Sequence, residues 1–343
     1  MNFSNILIQW YNQNKRDLPW RNTQKPYLIW LSEIILQQTR VAQGMPYFIS
    51  FIKSFPTVFD LANADEEQVL KLWQGLGYYS RARNLHKTAQ IVAFERNGVF
   101  PNNYIDLQKL KGIGSYTAAA IASFAYNEVV PVVDGNVFRV LARYFDVETD
   151  IASNSAKKEF FNLAMELIPK NDPAQFNQAI MEFGALQCVP KNPNCSICIF
   201  NESCAALQKN KVTMLPIKLK KTKVRDRFLN YIIYIDEKNQ TQIQKRTEKG
   251  IWHNLYEFPL IETGKTENFD FISKNIKTEN NIISICEMNV ENIIHKLSHQ
   301  KLHIKFWKVS VKGNLEHGIN FENINNFPYP IVIANFLHKE VFV

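Results

Sequence analysis

The spacing of apolar residues changes once along this 343-residue chain, and that change constrains the fold more than any single motif. From about residue 3 to 208 they recur at the helical interval, in segments such as YLIWLSEIILQQTRVAQG, EEQVLKLWQGL, ARNLHKTAQIVAFERNG, TAAAIASFAY, NVFRVLARYF and AKKEFFNLAMELI. Beyond about residue 228 the pattern turns to short alternating runs, FLNYIIYID, TQIQKR, IISICEMNV and LHIKFWKVSV, which predict strands. Between them, 209–227 holds eight basic residues, one acidic residue and a central proline, and reads as a linker. The fold class is therefore multidomain. An all-α domain over 1–208 and an α+β domain over 228–343 are expected, with no internal repeat.

Composition sets the outer bounds. Apolar residues make up 46% and charged residues 21%, which excludes a disordered chain. A net charge of +8 favours a polyanionic partner such as nucleic acid, although a solvated lysine-rich face accounts for it equally well. No run approaches the length of a membrane span, and the N-terminus lacks a signal-peptide core, so a cytoplasmic protein without a membrane partner is expected.

Four of the five cysteines crowd into CVPKNPNCSICIFNESC, as Cys188, Cys195, Cys198 and Cys204 in the spacing C-x6-C-x2-C-x5-C. Such a cluster points to a metal site, not a disulfide framework. The spacing alone does not separate zinc from a [4Fe–4S] cluster.

Two further stretches carry chemistry. In KLKGIGSYTAAAI, Gly112 and Gly114 bring bare backbone to the start of a helix, a seat for a phosphate or simply a turn between helices. Glu33 is set among Ile29, Trp30, Ile34, Ile35 and Leu36, where burial would hold its proton and make it a general acid near neutral pH. Asp134 precedes the helix of NVFRVLARYF as its cap, which favours the ionised form. One protonated and one charged carboxyl is the division of labour in glycoside cleavage.

The hairpin LKGIGSYTAAAI followed by Asp134 resembles the helix-hairpin-helix element of the endonuclease III superfamily, and the four cysteines resemble its iron–sulfur loop, 188–204. LPWR, WLSEIILQQTRV and GLGYYSRARNL resemble the MutY-type adenine DNA glycosylases in particular. GIWHNLYEFPLIE resembles the start of that branch's Nudix-like C-terminal domain, and no glutamate-rich metal-binding helix follows it, so no Nudix hydrolase activity is expected.

The resemblance implies excision of adenine mispaired with 8-oxoguanine in double-stranded DNA, by a monomer near the nucleoid. It implies that Glu33 protonates the flipped-out adenine, that Asp134 stabilises the sugar cation, and that Asn136 supports Asp134. Trp20, Arg21 and Gln178 match the adenine pocket, Gln38 and Tyr78 the wedge into the duplex, and Ser298 and His299 the lesion contacts, with Leu297 where an aromatic is usual. The hairpin amides at Gly112 and Gly114 would bind a phosphate, and the cluster would be [4Fe–4S], structural, pinning the loop that carries Lys191.

Tyr116 stands where relatives that also cut the strand carry a Schiff-base lysine, so a monofunctional glycosylase is expected. The alternatives are a bifunctional glycosylase/lyase for oxidised pyrimidines and a non-catalytic DNA-binding module.

Overall fold

The computed structural model describes residues 2–219 and 223–340, so 220–222, the centre of the basic linker, lie outside the described residues. The chain divides into two compact units. One comprises Met1–Asn63 with Asn84–Lys220, the other Ala64–Arg83 with Lys221–Val343. The inclusion of 64–83 in the second unit has no counterpart in the sequence pattern.

The helices in chain order are α1 Phe3–Asn14, α2 Pro26–Leu36, α3 Val41–Ser54, α4 Val58–Asn63, α5 Glu66–Leu72, α6 Ser80–Gln90 and α7 Tyr104–Leu107. They continue with α8 Ser115–Tyr126, α9 Gly135–Phe145, α10 Asn154–Leu167, α11 Pro173–Leu186, α12 Ala205–Gln208, α13 Phe269–Asn275 and α14 Ile331–Glu340. In the first unit α2 is buried continuously from Ile29 to Ile35, as an all-round apolar helix must be. Its pattern runs on in sequence to Gly44, but the helix stops at Leu36 and Gln38 takes a left-handed φ of 56°, so that α3 starts in a new direction. A second core gathers Leu7 and Tyr11 of α1, Val140 and Leu141 of α9, Phe160 of α10, and Phe176 and Phe183 of α11. Each such side chain contributes roughly 1.5–3 kcal/mol by leaving water.

The strands of the second unit are β1 Arg225–Ile235, β2 Gln240–Thr241, β3 Gln244–Lys245, β4 Tyr256–Glu257, β5 Leu260–Thr263, β6 Ile282–Glu287, β7 Ile293–Lys296, β8 Gln300–Val311 and β9 Ile319–Asn320. The main sheet runs β5-β1-β8-β6, with β7 also on β8. β1 and β8 are parallel, pairing Arg225 with Gln300 through to Ile235 with Ser310, and the other pairings are antiparallel. Leu229 to Tyr234 are buried at every position, where alternation was expected. The cause is cover on both faces: Ile272 of α13 joins Ile232, Tyr234 and Trp307, while Phe336 of α14 stacks on Phe306 at 3.7 Å.

Candidate active site

Glu33 lies on the buried helix α2 and is only 7% exposed. Its Oε2 accepts a 2.7 Å hydrogen bond from the Tyr116 hydroxyl on α8. Burial pushes its pKa up to about 7; the Tyr116 bond and the Arg21 charge oppose that rise, and the negative Asp134 reinforces it. Burial holds the Tyr116 proton well above its ordinary pKa, so this hydroxyl is a donor throughout the working range.

Asp134 caps α9. Its Oδ1 accepts from the backbone N–H groups of Asn136 and Val137, each at 2.8 Å, and its Oδ2 accepts from the Asn136 side chain at 2.8 Å. Burial raises its pKa above the ordinary aspartate value, and these three bonds together with Arg139 oppose that rise without cancelling it. Donors on both oxygens are the surroundings of an ionised carboxylate. The structure therefore brings together a carboxyl that holds its proton near neutrality and a second buried carboxyl with donors on both oxygens, whose negative charge helps raise the first.

Several residues that sequence reasoning missed hold Asp134 in place. Arg139 donates to Asn136 Oδ1 at 2.8 Å, to the Gly184 carbonyl at 2.7 Å and to the Cys188 carbonyl at 2.7 Å. Asn177, buried on α11, accepts from Val132 N–H and donates to the Val130 carbonyl, fixing the segment that leads into Asp134. Gly184 leaves room for this arrangement, because a Cβ there would meet the Asn136 Cβ at 2.6 Å and its backbone oxygen at 3.0 Å.

In the hairpin Gly112 has a φ of 77°, and a Cβ there would meet the Asn84 Cβ at 2.7 Å, so glycine is required on both counts. Gly114 needs no such angle. It caps α8 with an ordinary extended φ of −83°, and a Cβ would meet nothing within 4 Å. Its value is the bare approach to the helix amides, not a special backbone angle. Leu110 and Ile113 anchor the turn in the core.

Arg21 and Gln178 line one cavity of about 660 Å³ with Tyr11, whose hydroxyl donates to Gln178 Oε1 at 2.5 Å. Trp20 is buried edge-on against Phe48. The Arg21 guanidinium is committed to Glu182, through bonds of 2.9 and 2.7 Å, and Arg16 grips the same carboxylate at 2.8 and 2.6 Å. Desolvation would raise the pKa of Glu182, but the two guanidinium groups outweigh it and bring it down to about 2. Glu182 sits among Ile180, Met181 and Phe183, the same sequence signature that singles out Glu33.

Cys188, Cys195, Cys198 and Cys204 line a single cavity. Among the described residues no group of three or more His, Cys, Asp or Glu side chains forms a single-ion site. Arg143 donates to the Cys188 sulfur and the Phe200 N–H to the Cys198 sulfur, both at 3.4 Å. Burial pushes the Cys198 thiol up to about 11, and the other three cysteines add to it. An all-sulfur donor set this crowded fits a soft cationic centre that offsets its mutual repulsion.

In the second unit Tyr78, Ser298 and His299 line one cavity of about 540 Å³. The Ser298 hydroxyl and His299 Nδ1 are 3.1 Å apart. Gln38, in the first unit, is exposed at the turn between α2 and α3. Both Gln38 and Tyr78 have left-handed backbones, with φ of 56° and 47°, uncommon for residues with side chains.

Residues 31–170 match the family described as HhH-GPD superfamily base excision DNA repair protein, and residues 230–339 match the NUDIX domain. An adenine DNA glycosylase of Buchnera aphidicola subsp. Schizaphis graminum is 36% identical over 322 residues, covering 94% of this chain and 90% of that protein. The Homo sapiens adenine DNA glycosylase is 43% identical over 216 residues, covering 60% of this chain and 40% of that protein. Among solved structures, a thermostable thymine-DNA glycosylase superimposes with a TM-score of 0.56 at 29% identity, over 60% of this chain and 95% of its own. A trapped endonuclease III–DNA covalent intermediate superimposes at 0.53 and 22% identity, over 60% and 94%, a likeness of fold. With a relative aligned along nearly all of both chains, and the two domain families matched in this order, the chain belongs to the adenine DNA glycosylase family.

Proposed function

We propose that this chain is a monofunctional glycosylase that removes adenine opposite 8-oxoguanine from duplex DNA, in base excision repair, and leaves an abasic site. The observation that carries the reading is the pairing of Glu33, held near neutrality, with a triply hydrogen-bonded Asp134 in one buried site. Glu33 delivers its proton to N7 of an adenine turned out of the stack, which makes the base a leaving group. Asp134 then stabilises the positive charge developing on the sugar, and water completes the hydrolysis. Position 116 carries a hydroxyl hydrogen-bonded to the acid, with no amine to form an imine, so strand cleavage is not part of the reaction.

Cys188, Cys195, Cys198 and Cys204 would hold a [4Fe–4S] cluster. Bound there, it supplies a structural pin for the loop. Arg139 and Arg143 tie that loop's backbone to α9, which begins at the Asp134 cap. The hairpin amides before α8 meet a DNA phosphate, Arg21 and Gln178 line the adenine pocket, and Gln38 and Tyr78 enter the duplex. Ser298 and His299 read the base opposite. The protein acts as a cytoplasmic monomer at the nucleoid.

The test is single-turnover cleavage of duplexes carrying adenine opposite 8-oxoguanine, adenine opposite thymine, or thymine glycol, each with and without alkali. Alkali-dependent product from the adenine–8-oxoguanine duplex alone supports the reading. Alkali-independent cutting at thymine glycol supports the bifunctional alternative, and binding without cleavage supports a non-catalytic module. Analysis of the purified chain for iron and labile sulfide tests the cluster; zinc would contradict it.

A further inference from the structure

Tyr78 is an exposed aromatic residue in a left-handed backbone conformation, flanked by Gly75 and Gly77, which also have positive φ of 102° and 72°. A non-glycine residue there is strained and persists only where the surroundings over-determine it. Locally, Trp73 Nε1 and Arg81 both donate to the Gly77 carbonyl, at 3.0 and 3.1 Å.

The larger hold comes from the rest of the second unit. Glu67 on α5 accepts from Lys245 and from the Tyr256 hydroxyl, each at 2.8 Å, and Glu66 accepts from Asn254 at 2.6 Å. Lys71 donates to the Phe327 carbonyl at 3.1 Å. Closest to the loop, Gln74 Oε1 accepts from Tyr329 N–H at 3.1 Å, and the Tyr79 hydroxyl bridges Gly75 N–H and the Tyr329 carbonyl at 3.3 and 3.4 Å. The loop so held forms one wall of the 540 Å³ cavity that Ser298 and His299 share.

We infer that Glu67 and Gln74 are positioning residues for lesion reading, locking the Tyr78 loop into the unit that carries Ser298 and His299 so that one rigid body reads the base opposite adenine. This rests on the lesion-reading role proposed above for that unit. Chain segments distant in sequence thereby set one distance, that between Tyr78 and the Ser298–His299 turn.

The test uses the full chain with Gln74→Ala and, separately, Glu67→Ala, and reads single-turnover excision of adenine opposite 8-oxoguanine and opposite guanine, with thermal unfolding alongside. The expected result is a loss of about tenfold opposite 8-oxoguanine with less than about twofold opposite guanine, so that discrimination between the two collapses while the melting temperature is kept. Equal losses on both substrates, or unaltered discrimination in both variants, would overturn the inference. A wild-type chain with no preference for 8-oxoguanine over guanine would instead remove the lesion-reading role on which it rests.

Discussion

The Tyr116 hydroxyl donates to Glu33 Oε2 at 2.7 Å, so the residue that stands in place of an imine-forming lysine is built into the acid itself. A hydrogen bond to the charged form lowers a carboxyl pKa, and here it works against burial. Tyr116→Phe removes it. The Glu33 pKa then rises above about 7, and the basic limb of the pH–rate profile moves to higher pH, even as the rate at its optimum falls by about tenfold from lost positioning. A basic limb that moves to lower pH would contradict this assignment.

Glu33 also has a stability signature. Its pKa in the folded chain, about 7, lies above its ordinary 4.5, so the folded state binds the extra proton between those values. Stability is fully present below about pH 4.5 and is lost as pH rises through 7, by on the order of 3 kcal/mol at 1.36 kcal/mol per pH unit. Glu33→Gln abolishes this dependence. Thermal unfolding is expected to show the variant more stable than wild type at pH 8 and no more stable at pH 4.

Glu182 behaves in the opposite sense. Its pKa is depressed to about 2, so its contribution is present above about pH 4.5 and is lost as pH falls through 2. Glu182→Gln leaves Arg16 and Arg21 without their shared counter-charge and is expected to cost about 3–5 kcal/mol at neutral pH, with a flatter acid limb in denaturant titrations.

Gly184→Ala places a methyl group within 2.6 Å of Asn136, against backbone as well as side chain. The expected cost is about 1–3 kcal/mol in stability from overpacking. Displacement of Asn136 from Asp134 is expected to lower single-turnover excision by about a hundredfold, with duplex binding retained. Excision at the wild-type rate would show that this packing does not position the aspartate.

Much of the candidate site is legible in the sequence because local surroundings announce it. An acid inside an apolar helix marks Glu33, an acid before a helix marks Asp134, and four crowded cysteines mark a shared donor set. Glu182 carries the same signature as Glu33, but its partners, Arg16 and Arg21, are more than 160 residues away in sequence, where no local pattern reveals them. Gly184 was invisible for a related reason: its role is the room it leaves for Asn136 on another helix. The membership of 64–83 in the second unit depends on side chains meeting residues 245–256 and 327–329, pairings to which hydrophobic periodicity is blind. Periodicity likewise ran past the left-handed turn at Gln38, since apolar spacing continues across a change of direction.

The most direct test of Glu33 as the proton donor is single-turnover excision of adenine opposite 8-oxoguanine by wild type and Glu33→Gln from pH 5.5 to 9, with duplex binding measured on the same preparations. The wild-type rate is expected to fall tenfold per pH unit above about 7, and the variant to bind as tightly yet lose at least about a thousandfold in rate at every pH. A variant that excises adenine at the wild-type rate would show that Glu33 is not the acid.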